Sequence, residues 1–123
     1  MPFARELGVT LEKAESARVV GSLVWVAHRC TTGGALHGGV LMGLADSLGG
    51  ICAFLNLPAG SVTSTIESKT NFFRAVRSGT VRGVASPVHV GRTTIVVQTE
   101  LRDDAQRLVA LAIQTQAVLA PRS

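Results

Sequence analysis

His37-Gly38-Gly39-Val40-Leu41-Met42-Gly43-Leu44-Ala45-Asp46-Ser47-Leu48-Gly49-Gly50, running on through Ile51-Cys52-Ala53-Phe54-Leu55, is the stretch around which the rest of the chain must fold. From Ala35 to Leu57 nearly every residue is apolar or small, on more faces than a helix half in water would carry. The pattern predicts a helix buried all round. Asp46 is the only acid in that run. An ionised carboxylate taken out of water costs several kcal/mol unless a partner or trapped water compensates it, so its presence calls for a reason.

The entrance of this helix carries a second signal. Gly33-Gly34 and Gly38-Gly39 flank His37, and glycine lets backbone N–H groups approach a ligand closely. The first amides of a helix lack partners inside it and sit at the positive end of its dipole, which suits an oxyanion or a polarised carbonyl. A carboxylate and a set of free amides are the two parts that carbonyl chemistry needs most. Gly38 and Asp46 are eight residues apart, about 12 Å along a helix rising ~1.5 Å per residue. One helix cannot hold one carbonyl at both places. A second copy running the opposite way could bring its Asp46 to the first copy's Gly38, which predicts a homodimer with shared sites.

Composition bounds the rest. The 123 residues suit one domain, 1–123, with room for a core and none for a second unit. Hydrophobic residues make up 46% and charged ones 16%, which excludes a disordered chain and implies burial against partners as well as inside. The net charge of +4 allows an anionic ligand, and ten of the twelve basic residues are Arg, suited to forked contacts with phosphate. With no Tyr, one Trp, four scattered Phe and no Lys/Arg run, no platform for nucleic acid is evident. Cys30 and Cys52 form no disulfide framework, and no His, Cys and acid cluster reads as a metal site. The Ala35 to Leu57 run is broken by Asp46 and five glycines and makes a poor membrane span, and no secretion signal opens the chain. The expectation is a cytoplasmic protein with no membrane partner.

Working outward, Pro2 to Leu7 reads as a short helix stopped at Gly8. Val9 to Ala14 and Ala17 to Ala27 read as strands, and Arg29 to Gly34 as a loop into the central helix, which should break at Pro58-Ala59-Gly60. Four strands follow: Val62 to Phe73, Val81 to Val90 with an edge or bulge at Pro87, Thr93 to Leu101, and Leu108 to Leu119. Ile95, Val97, Thr99 and Leu101 share one face of the third; Val109, Leu111, Ile113, Ala117 and Leu119 are expected to share one of the fourth. Strands in a run with one early apolar helix give an α+β domain, an antiparallel sheet wrapped on a helix.

His37-Gly38-Gly39-Val40 followed by Leu44-Ala45-Asp46-Ser47 resembles the hot-dog-fold acyl-CoA thioesterases. The closer likeness is to the phenylacetate-degradation-type branch, related to the 4-hydroxybenzoyl-CoA thioesterase with an acid on its central helix. It spans roughly His37 to Leu119, about two thirds of the chain. The resemblance implies hydrolysis of a small acyl- or aryl-CoA thioester by a homodimer that pairs again into a homotetramer, with no cofactor beyond the coenzyme A of the substrate. Asp46 would be general base or nucleophile, both readings being open, and the Gly38 N–H the oxyanion donor with Gly39 supporting the turn. His37 would fix the helix entrance on the substrate-binding side.

By the same likeness a hydroxyl on the strand after the helix holds the attacking water. That falls on Thr65, with Ser64 one register step away. Gly91-Arg92-Thr93 resembles the family's Gly-Arg turn and Asn71-Phe72-Phe73-Arg74-Ala75 its strand-end motif, so Gly91, Arg92, Arg74 and Arg77 are candidates for coenzyme A phosphates. Two departures stand out: Gly50 replaces a hydroxyl found in some relatives one turn after the acid, and Thr31 replaces an Asn or Gln six residues before the His. The second favours the rival reading, an acyl-CoA-binding protein without turnover. A hot-dog dehydratase would want a His paired with the acid on the helix, and none is present at helical spacing after Asp46. Cys30 beside His28 lacks fixed geometry and a third group for a nucleophile pair.

Overall fold

The computed structural model describes residues 1–121. Helix α1 (Pro2–Leu7) opens on a proline, whose fixed φ suits a first turn, and ends where Gly8 takes a φ of 93° and returns its N–H to Ala4 and Arg5. β1 (Thr10–Glu15) and β2 (Arg18–Val24) form a tight hairpin closed at Glu15 and Arg18. β2 stops at Val24, short of the expected Ala27. There the Trp25 N–H donates to Gly79 O and its indole Nε1 to Gly34 O at 3.0 Å, drawing the chain into the loop. After α2 (Gly38–Leu55) come β3 (Val62–Phe72), β4 (Thr80–Val90), β5 (Thr94–Arg102) and β6 (Leu108–Leu119).

The six strands form one antiparallel sheet in the order β1-β2-β4-β5-β6-β3, and α2 lies across it in contact with every strand. This is the expected α+β hot-dog architecture. Period-two alternation sets the core: Ile95, Val97, Thr99 and Leu101 of β5 are fully buried, as predicted, against Leu41, Leu44 and Leu48 of α2. Close approach is made possible at one point by paired glycines. Gly21 of β2 stands opposite Gly83 of β4, and a Cβ on either would lie 2.6 Å from a methyl carbon of Leu48. The side chain seats in that dent, and burying a leucine fully is worth about 1.5–3 kcal/mol. Pro87 sits on the part of β4 beyond the reach of β2, where its missing N–H costs nothing, and the register with β5 shifts just after it.

Two expectations need correction. The central helix is not buried all round: Met42 (43% exposed), Asp46 and Phe54 (62% exposed) form an outward stripe at four-residue spacing. The sheet covers one side of the helix only. Asp46 therefore bears no burial penalty in the single chain. In β6 the face reading is inverted from Ala110 onward. Ala110, Ala112, Gln114 and Gln116 are buried opposite the inward residues of β5, while Ile113 and Leu119 are exposed. The glutamines hold the inner face because each finds a polar partner there. α2 is long and apolar enough to cross a membrane, and it is packed lengthwise on the sheet.

Candidate active site

His37 is the N-cap of α2. Its backbone is extended, and its Nδ1 accepts the Gly39 N–H at 2.8 Å while its carbonyl accepts the Val40 N–H at 2.9 Å. An accepting Nδ1 places the ring proton of the neutral imidazole on Nε2. With Gly39 engaged by the cap, the Gly38 N–H is left without a hydrogen-bond partner among the described residues. Gly38 borders a cleft of about 370 Å³ together with Leu36, Leu41, Phe72 and Arg74. The loop before it is tied down from several sides. Arg77 Nη1 donates to Gly33 O at 2.6 Å, Trp25 holds Gly34, and His37 N–H donates to Arg29 O at 3.0 Å. Arg77, a candidate for phosphate, is thus engaged by the loop.

Asp46 stands two turns further along the outward stripe. Its Oδ1 lies 3.4 Å from Gln114 Nε2, and it joins no ion pair among the described residues. One turn on, Gly50 borders a second cleft of about 420 Å³ with Ile51, Phe54, Thr63, Thr65 and Gln116. A Cβ on Gly50 would meet nothing within 4 Å, so the space beside it is open. Thr65 is opposite Gln116 in the ladder and its Oγ1 accepts the Gln116 Nε2–H at 2.7 Å, on the helix side of the sheet. Ser64 is opposite Ala117, so its side chain alternates to the other face, yet the residue also borders this second cleft. Gln116 Oε1 lies 3.1 Å from Thr63 Oγ1, whose proton is shared with Ala117 O at 2.8 Å.

The structure gathers the candidates into two groups. Gly38, His37, Gly39 and Arg74 sit at the N-terminal end of α2, and Thr65 flanks its C-terminal half, with Asp46 between. Gly91 and Arg92 lie far from Arg74. Arg74 N–H bonds to Val109 and Thr93 O to Val118, at opposite ends of β6, about 30 Å apart at ~3.3 Å per residue. Thr31 Oγ1 accepts the Gly33 N–H at 3.3 Å inside its own loop. Cys30 Sγ donates to Val26 O at 3.4 Å, which commits the thiol to its own loop. Cys52 is fully buried in the core, and that burial pushes its thiol above its ordinary pKa and so disfavours the thiolate. No group of three or more potential metal ligands occurs among the described residues. Gln114 and Gln116 were missed by sequence reasoning; two polar residues at i and i+2 in an apolar strand were the available signal.

Residues 33–110 match the family model described as the thioesterase superfamily. ComA2 of Bacillus subtilis is 34% identical over 116 residues, covering 92% of this chain and 90% of that protein. The 1,4-dihydroxy-2-naphthoyl-CoA hydrolase of Escherichia coli is 36% identical over 86 residues, 70% of this chain and 63% of its own length. The chain spans less than two thirds of the length of several curated relatives that it matches. A thioesterase of Haemophilus influenzae superposes with a TM-score of 0.92 at 26% identity, over 98% of this chain and 85% of that one.

Proposed function

The chain belongs to the thioesterase superfamily, and from that premise we propose that it hydrolyses a small acyl- or aryl-CoA thioester to the free acid and coenzyme A. The observation that carries this is the division of labour on α2: among the described residues, an outward carboxylate in no ion pair and, about 12 Å away along the axis, an amide N–H in no hydrogen bond. Two antiparallel copies bring the Gly38 N–H of one protomer to the partner's Asp46. The amide polarises the thioester carbonyl; Asp46 either takes a proton from the attacking water or attacks the carbonyl itself to form an anhydride, which water then opens to the free acid. Thiolate leaves readily and needs little acid assistance.

The same pairing brings Arg74 of one protomer toward the partner's Arg92, which answers their separation within one chain and supplies cations for coenzyme A phosphates. We place the protein in the phenylacetate-degradation-type branch, as one hot-dog unit over 1–123, a homodimer that pairs into a homotetramer, working in the cytoplasm with free Cys30 and Cys52. The name of the E. coli relative supports an aryl-CoA as substrate.

Thiol release from acetyl-, isobutyryl- and benzoyl-CoA tests the reading. Asp46→Asn should lower kcat by about 10²-fold or more, the range of general-base losses. Equal turnover by both proteins removes Asp46 from the mechanism. The rival is a binding protein, favoured by the Thr31 hydroxyl being turned into its own loop. It predicts that benzoyl-CoA is bound and recovered intact.

A further inference from the structure

Gln114 is the least expected residue in the core. It is 1% exposed, in a strand whose other inward residues are Ala110, Ala112 and Gln116. Its Nε2 lies 3.4 Å from Asp46 Oδ1. A carboxylate only accepts, so the amide must turn its N–H₂ to Asp46 and its Oε1 the other way. There Oε1 is buried with no partner among the described residues, and a Cβ on Gly49 would overlap it. Glycine three residues after Asp46 is what admits the amide beneath the helix. A buried acceptor without a partner is a standing penalty that an apolar side chain of the same length would remove.

We propose that Gln114 is a positioning residue for Asp46: its N–H holds Oδ1 and fixes the carboxylate plane, so that Oδ2 points away from the sheet toward an incoming carbonyl. Gly49 makes this reach possible. The proposal rests on the reading of Asp46 as the reacting acid and adds to it the group that aims it. Gln116 does for Thr65 at 2.7 Å what Gln114 does for Asp46, so β6 supports both candidate groups from below.

The test is Gln114→Met, which keeps length and removes the amide, measured with the best of the three acyl-CoA substrates. A positioning role predicts a 10- to 100-fold fall in kcat, KM within twofold of wild type, and an unchanged or raised Tm. In an Asp46→Asn background the same substitution should cost nothing further. An unchanged kcat, a loss of equal size in that background, or a Tm that falls in step with activity overturns the proposal. Should Gln114→Met not fold, Gln114→Asn, which retracts the amide by one methylene, is read by kcat, KM and the Asp46→Asn background alone. The ¹⁵N-resolved NMR signals of the Gln114 side-chain amide give a readout free of turnover. They should shift in Asp46→Asn, and signals that stay in place overturn the contact. If Asp46→Asn turns over like wild type, the hydrolytic mechanism fails while the NMR measurement still decides whether Gln114 holds the carboxylate.

Discussion

The two edges of the sheet are built differently. β1 has six residues, alternates charge at Glu12, Lys13 and Glu15, is broken by a register shift between Leu11 and Lys13, and is tied by ion pairs from Lys13 to Glu15 and Arg82 to Glu12. These are the devices that stop a sheet from pairing further. β3 runs for eleven residues with only Glu67 and Lys69 charged, and leaves Val62, Ile66 and Phe72 about half exposed or more. It lies beside the outward stripe of α2, and its inward Thr65 belongs to the candidate site. One edge is closed, with the paired-glycine dent beside it; the other is open where the chemistry is proposed. The proposed dimer therefore belongs at β3.

The contrast can be broken at either side. The largest effect is expected in the closed half. Leu48→Ala empties the dent between Gly21 and Gly83 and should cost about 2–5 kcal/mol in urea unfolding; a loss under ~1 kcal/mol would mean that this packing is not what holds the sheet to the helix. At the open edge, Ile66→Lys should shift the dimer toward monomer in light scattering and lower thiol release roughly tenfold to a hundredfold, since like charges would meet across the new pairing. Leu11→Lys on β1 should change neither, and equal effects at both edges would erase the distinction. The smallest effect concerns the β5–β6 turn beside β4. The main-chain N–H of Arg107, then its guanidinium, and the Ala105 N–H hold the Asp103 carboxyl below the usual carboxylate range. A carboxyl so lowered stabilises the fold above its unfolded pKa, and the contribution fades as pH falls through the folded value. Asp103→Asn should thus lower Tm slightly at pH 7 and match wild type in strong acid; a constant gap across that range would assign the effect to lost turn geometry.

What could be read from the chain followed from strict periods. β5 alternates and its inner face came out residue for residue; α2 is a long apolar run and became the helix. The errors share one cause, that polarity was taken to mean outside and apolarity inside. Phe54 and Met42 are apolar yet outward in the single chain, where the sheet covers only one side of the helix, and Gln114 and Gln116 are polar yet inward, where each reaches a polar partner. Thr65 and Ser64 could not be separated by sequence, since a one-residue slip exchanges faces, and only the pairing with Gln116 and Ala117 distinguishes them.

Trp25 and Arg77, from two different parts of the chain, grip consecutive carbonyls of Gly34 and Gly33. The bend before the helix is thereby shaped by the fold itself, so the proposed substrate would meet a bend already formed. Such a fixture forgives variety in the visitor but not in its own length. Inserting one residue between Gly34 and His37 would swing the free amide off target while leaving every side chain of the site intact.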